Sequence, residues 1–193
     1  MYFSGKKIKL KDGRICILKT ARPEDAAGLI ACLRTAFEET PFLLRDADEF
    51  RCTVEEEQEF LRKHLENLRS FLMLAEVEGK VAANCGIMPK GTFRRLRHRC
   101  DFAISIRKEF WSLGIGSSMT AYALKLAEQM GYEQVELGVV DGNDRAKALY
   151  ERFGFAVTGK VFRAMKYGDG SYRDEWMMVK VFGKQNIKEE WNG

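Results

Sequence analysis

Histidine is nearly missing from this chain: His64 and His98 are the only two among 193 residues. That is poor material for a zinc site. The five cysteines, at 16, 32, 52, 85 and 100, form no Cys-x-x-Cys pair and no regular spacing, so neither a metal knuckle nor a disulfide framework is expected. A reduced, cytoplasmic chain with no metal requirement is the expectation. No apolar run approaches the length of a membrane span. The N-terminal MYFSGKKIKLKDG has no apolar core of the kind a secretory leader needs. Neither membrane association nor secretion is expected. Proline is also scarce, with three residues at 23, 41 and 89, and there is no linker-like, repeated or low-complexity stretch. A single domain over 1–193 is the simplest reading. The net charge of +4 is mild and spread out. It suits an anionic ligand better than nucleic acid, whose binders carry denser basic residues.

The residues present are those of a mixed fold. KKIKLKDGRICILK sets Asp12-Gly13 between two alternating runs and predicts a hairpin. RPEDAAGLIACLRTAF predicts a helix entered near Pro23, with Ala26, Ile30, Leu33 and Phe37 on its apolar face. Thr53 and Glu56 form a capping box for a second helix, with an inward stripe of Leu61, Leu65 and Leu68. SFLMLAEV and KVAANCGIM, joined by Glu78-Gly79, predict a second hairpin, and HRCDFAISI a further strand. Met119, Ala123, Leu126, Ala127 and Met130 share one helical face that Gly131 closes. YEQVELGVV is a strand, DGNDRAKALYERFGF a short helix capped by Asn143 and stopped at Gly154, and the segments around Gly168–Gly170 a terminal hairpin. The order is β-hairpin, α, α, β, β, β, α, β, α, β, β. An α/β chain results: a mixed, mostly antiparallel sheet flanked by helices, with a parallel strand–helix–strand crossover near 98–140.

Within that crossover, FWSLGIGSSM (110–119) places two glycines and two serines at the mouth of a helix. Helix N-termini leave N–H groups free and carry partial positive charge, so such a junction can cradle phosphate. A dinucleotide fold wants Gly-x-Gly-x-x-Gly and an acid some 20 residues on. Met119 occupies the third glycine position, and no suitable acid follows. The Gly-x-x-x-x-Gly-Lys-Ser/Thr pattern of a P-loop is absent as well.

ISIRKEFWSLGIGSSM and VVDGNDRAKALYERFGF together resemble the two linked motifs of the GNAT superfamily of acyl-CoA-dependent N-acyltransferases. The first is similar to Gln/Arg-x-x-Gly-x-Gly/Ala opening a helix. The second is similar to Asn-x-x-Ala-x-x-Leu-Tyr-x-x-x-Gly-Phe, carried by Asn143, Ala146, Leu149, Tyr150, Gly154 and Phe155. The resemblance covers most of the chain and is strongest over about 71–180. It implies a strand–loop–helix acetyl-CoA site. The pyrophosphate would lie on backbone N–H groups from Ser112, Leu113, Gly114, Ile115, Gly116 and Ser117, assisted by the Ser117 and Ser118 hydroxyls. Trp111 stands where the family carries Gln or Arg, which removes a cation from the loop; packing beneath the loop is its other role. The pantetheine arm would pair with the strand end at Ile104, Ser105 and Ile106, where that strand splays from 134–140. Asn143 would hydrogen-bond the arm, or serve only as a helix cap.

The resemblance also implies that Tyr150 protonates the departing thiolate, a task suited to a phenol that stays neutral at pH 7. Its alternative is core packing beside Ala146, Leu149 and Phe153. Asp101 is the candidate base, with Glu76 or a water relay as competitors. Otherwise Asp101 is an ion-pair partner for Arg99 or Arg107. Cys100 as a covalent nucleophile is a distant second. The basic run FRRLRHR (93–99) is solvated hairpin surface or a surface for an acidic partner or RNA, and Glu55, Glu56, Glu57 and Glu59 suit the dipole of the second helix first and recruitment of a cationic amine second. The expected function is transfer of an acetyl group from acetyl-CoA to a primary amine, on a small molecule or a peptide N-terminus. The alternative is a non-catalytic acyl-CoA-binding sensor of the same fold. Loops near 38–53 and 163–173 would shape the acceptor pocket, and the terminal hairpin is a candidate homodimer surface.

Overall fold

A computed structural model describes residues 5–183; the first four residues of the N-terminal segment read above lie outside them. Among the described residues, eight strands and four α-helices follow in the expected order. The strands form one sheet of order β1-β2-β3-β4-β5-β6-β8-β7, and only the β5/β6 pair is parallel among the pairings described. The chain divides into two compact units, 1–88 with 103–123, and 89–102 with 124–193.

In the first unit, β1 (Lys6–Lys9) and β2 (Ile15–Thr20) are joined through Asp12-Gly13, where the Asp12 carboxylate accepts from the Arg14 N–H at 3.1 Å. A 3-10 turn over Pro23–Asp25 leads into α1 (Ala26–Glu39). The buried face of α1 is Ala26, Leu29, Ile30, Cys32 and Ala36, a stripe rotated from the expected one. Small residues at 32 and 36 let the helix lie close. The same closeness holds at Gly28, where a Cβ would stand 3.0 Å from Val81 Cγ2. Leu33 packs at the margin of the core cluster, and Phe37 turns to meet Phe50, with ring centroids 5.2 Å apart.

Helix α2 (Val54–Glu66) starts on the expected capping box. Thr53 Oγ accepts from the Glu56 N–H at 3.2 Å, and the Glu56 carboxylate accepts from the Thr53 N–H at 2.9 Å. Only Leu61 of the expected stripe is buried. Asn67 ends the helix, so Leu68 lies beyond it and is 80 % exposed. Strands β3 (Phe71–Val77) and β4 (Lys80–Pro89) turn tightly at Glu78-Gly79. Both turn residues have positive φ, 50° and 77°, which matches the twist of a two-residue hairpin.

Strand β5 (Arg99–Ile106) and helix α3 (Ile115–Gln129) each contribute residues to both units. In the second unit, β5 runs parallel to β6 (Gln134–Val140) through three pairs, from Arg99↔Gln134 to Asp101↔Glu136. Gly131, at φ 79°, ends α3. The Tyr132 N–H closes back onto the Ala127 carbonyl at 3.1 Å, the wide bond of a Schellman cap. Helix α4 (Asp144–Arg152) follows β6, and β7 (Ala156–Lys166) and β8 (Tyr172–Val181) form the terminal hairpin. Strand β8 inserts beside β6 and leaves β7 at the edge. The segment expected as a 163–173 loop is mostly strand, because alternating Arg163–Lys166 and Tyr172–Arg173 continue the ladder; the connection itself is 167–171.

Candidate active site

The first unit carries the strand end, the loop and the helix start. Ser105 is buried, and its hydroxyl accepts from Asn84 Nδ2 on β4 at 2.7 Å, while Ile104 and Ile106 are half-buried. After Ile106 the Arg107 N–H donates to the Ala82 carbonyl at 3.0 Å. A 3-10 turn, Lys108–Phe110, then buries the Phe110 ring. The guanidiniums of Arg14 and Arg107 lie over that ring, 5.3 and 5.9 Å from its centroid. Trp111 donates its indole N–H to the Ile106 carbonyl at 2.7 Å. The residue that replaces a cation in the loop therefore braces the loop against the end of its own strand.

Two residues then take left-handed conformations, Ser112 at φ 63° and Gly114 at φ 99°. Leu113 between them accepts from the Lys11 N–H of the β1–β2 turn at 3.2 Å. Helix α3 begins at Ile115, and the Ser118 N–H already donates to the Gly114 carbonyl at 3.1 Å. The N–H groups of Ile115, Gly116 and Ser117 precede the first intrahelical bond and head the helix dipole. The two glycines thus differ. Gly114 supplies a backbone shape that a side chain resists, whereas Gly116 lies inside the first helical turn.

The second unit carries Asp101, Asn143 and Tyr150. Asn143 caps α4, its Oδ1 accepting from the Ala146 N–H at 3.2 Å. Tyr150 is 7 % exposed. Its ring meets Phe102 edge-on at 6.2 Å and Phe155 at 5.7 Å, so two aromatic neighbours fix its direction. Asp101 is half-exposed, and its partner is Lys90, whose Nζ donates to Oδ1 at 2.7 Å. The expected partners are otherwise engaged: Arg99 binds Glu136, and Arg107 pairs with Glu109 at 2.6 Å. Cys100 is fully buried, and its thiol donates to the Gln134 carbonyl at 3.5 Å. Glu76, the competing acid, is paired with Lys19 at 2.7 Å.

Glu136 escaped the sequence reading. It faces Asp101 on the last parallel rung, with only 5 % of its surface exposed. Arg99 binds it through Nε and, at 2.8 Å, through Nη2. Gln134 Nε2 donates to it at 3.0 Å, and Lys90 Nζ stands 3.3 Å away. Burial pushes this carboxyl upward, but the Arg99 hydrogen bonds and the Lys90 and Arg99 charges outweigh it and hold it below its ordinary range. An acid amid Val135 and Leu137 was the available signal; its partners, from distant stretches of chain, were not.

Elsewhere the basic run forms a 3-10 turn, Arg94–Leu96, with Phe93 77 % exposed, while Arg99 belongs to β5. Glu55, Glu56 and Glu57 occupy the first turn of α2. Glu57 is buried there, which raises its carboxyl; the thiol of Cys52 donates to it at 3.5 Å. Among the described residues no His, Cys, Asp and Glu cluster could hold a metal ion, and no helix is long and apolar enough to cross a membrane.

Comparison with known proteins gives this arrangement its context. The profile of the acetyltransferase (GNAT) family matches residues 32–155. The chain belongs to that family. Acetyl-CoA-dependent N-acetylation is the general reaction of GNAT proteins. The fold is that of a GNAT-family acetyltransferase from Streptococcus pneumoniae, with TM-score 0.83, 32 % identity and coverage of 86 % of this chain and 99 % of that one. YncA of Salmonella typhimurium, solved with its cofactor acetyl-CoA, shares the GNAT fold at TM-score 0.77 and 15 % identity, over 89 % of this chain and 96 % of that one. Human N-acetyltransferase 8B is 30 % identical over 103 residues, 52 % of this chain. The matched region spans 45 % of that relative.

Proposed function

We propose that this protein transfers the acetyl group of acetyl-CoA to a primary amine by direct attack, within one catalytic domain. The observation that carries the reading is the strand–loop–helix junction, in which Gly114 at φ 99° leads into the start of α3 in a chain of the GNAT family. Bound acetyl-CoA supplies an acetyl thioester, and the chain's own residues do the rest. The N–H groups at the head of α3, with the Ser117 and Ser118 hydroxyls, would hold the pyrophosphate. Backbone groups at Ile104 and Ile106 would pair with the pantetheine amides, with Asn143 adding a side-chain bond. The Tyr150 phenol would donate a proton to the departing sulfur. Asp101 would accept the amine's proton, directly or through water. Positioning and polarisation then suffice without a covalent enzyme intermediate.

The acceptor is a small-molecule amine or a peptide N-terminus, and the setting is cytoplasmic. Thiol release from acetyl-CoA across a panel of small amines and short peptides tests the reading. Turnover of small amines alone or of peptides alone assigns the acceptor class. Tight acetyl-CoA binding with no turnover of any amine would instead make this an acyl-CoA sensor. A homodimer through the terminal hairpin is part of the proposal, and light scattering of the full chain checks it.

A further inference from the structure

Asp101 and Glu136 stand side by side on the last rung of the β5/β6 parallel pair. Two carboxylates directly opposed across strands repel one another. Lys90 resolves the conflict: its Nζ is 2.7 Å from Asp101 and 3.3 Å from Glu136. Its backbone is fixed as well, the Lys90 N–H donating to the Arg99 carbonyl at 3.1 Å. Arg99 and Gln134 occupy the remaining Glu136 oxygen sites. The cluster is neutral: two cations, Lys90 and Arg99, balance two carboxylates, Asp101 and Glu136. Of the two carboxylates Asp101 is the one that reaches solvent, with 48 % of its side chain exposed against 6 % for Glu136, and the Lys90 and Arg99 side chains are each 31 % exposed.

We propose that Lys90 is a positioning residue for acetyl transfer, holding Asp101 as the exposed arm of a neutral four-charge lattice so that it takes a proton from the acceptor without trapping the ammonium. The proposal rests on the reading of Asp101 as the proton acceptor. An acceptor arrives as R–NH₃⁺, which cannot attack. An N–H bond must break, its electron pair staying on nitrogen, while the proton goes to an Asp101 oxygen and then to water. A carboxylate without a counter-ion would bind the ammonium strongly as an ion pair and stabilise the unreactive form. Lys90 already satisfies that carboxylate, so the ammonium gains less by staying charged. Removing Lys90 would leave the site with a net negative charge.

The test compares wild type, Lys90→Met, Lys90→Arg and Asp101→Asn, using the primary amine that the thiol-release panel turns over fastest. Lys90→Met keeps the length of the side chain and deletes its charge. The expected result is a split: KM for the amine falls by about fivefold, the scale of one partly exposed ion pair, while kcat at pH 7 also falls. Raising the pH toward the amine's own pKa, about 10 for an alkylamine and about 8 for a peptide N-terminus, restores kcat, and Lys90→Arg behaves as wild type. A purely structural role would raise KM or leave both constants unchanged, and either result overturns the proposal, provided acetyl-CoA affinity shows the variant folded. If Lys90→Met misfolds, Lys90→Gln read the same way decides. Wild-type turnover by Asp101→Asn would remove the proton-acceptor reading itself. Loss of turnover in Asp101→Asn alongside an unchanged Lys90→Met would sink only the role of Lys90.

Discussion

Gly114→Ala adds one methyl group where nothing stands in its way, since no atom beyond its own chain neighbours lies within 4 Å of the new Cβ position. Its cost is therefore conformational. Gly114 sits at φ 99°, beyond the left-handed well that other residues enter with difficulty. Holding alanine there costs about 1–3 kcal/mol. That strain must appear somewhere. If the loop keeps its shape, the folded state carries it, and the melting temperature falls by roughly 2–4 °C per kcal/mol in a protein of this size. If the loop relaxes to negative φ, stability is spared, and acetyl-CoA must re-form the strained shape on binding. Affinity then drops by about 5- to 150-fold, at tenfold per 1.4 kcal/mol. The two losses should sum to the same total. Calorimetric titration with acetyl-CoA and a thermal melt of the same sample measure both. A variant with unchanged melting temperature and unchanged Kd would refute the claim that φ at 114 shapes the binding loop.

Tyr150→Phe keeps the ring against Phe102 and Phe155 and deletes the donor, so turnover should fall by about 10²–10⁴-fold with acetyl-CoA affinity little changed; full turnover under chemistry-limited conditions would leave Tyr150 as packing. Leu61→Ala, at a site 1 % exposed, should cost about 2–5 kcal/mol in denaturant unfolding, whereas Leu68→Ala should stay within about 0.5 kcal/mol. The Glu136 carboxyl is held below its unfolded value by Arg99 and Lys90, so its stabilisation is present above an unfolded glutamate's pKa, about 4.3, and is lost as pH falls through the lower folded value. Glu136→Gln should therefore flatten the acid side of the stability–pH curve, and a curve of unchanged shape would contradict the lattice.

Local signals were legible because their physics is local. Asp12-Gly13, Glu78-Gly79, the Thr53/Glu56 box and the Asn143 cap depend on residues at most three apart, and each appears where the sequence places it. The stripe of α1 was not, because nine apolar positions from 26 to 37 allow several faces, and the close approach at Gly28 selects the one with Cys32 and Ala36. Leu68 continued a helical spacing that Asn67 cuts off. In the candidate site, the loop and helix start were readable as one continuous stretch. The partner of Asp101 was not, since Lys90 comes from beyond the end of β4 and no spacing rule links the two. Glu136 was hidden for the same reason: a buried acid is intelligible only once Arg99, Gln134 and Lys90 are assembled around it.

The distribution of thiols gives this protein an internal clock for opening. Cys16, Cys32, Cys85 and Cys100 are buried, and Cys52 alone is partly accessible. Burial pushes Cys16 up to about 11 and Cys32 up to about 12, so neither offers thiolate to a reagent at neutral pH. An alkylating pulse should tag the native chain once, slowly, at Cys52. Every further tag then records a molecule that has opened, and their positions say where. Cys16, Cys32 and Cys85 report on the first unit and Cys100 on the second. Mass spectrometry of the tagged peptides would show whether the two units open together or in sequence.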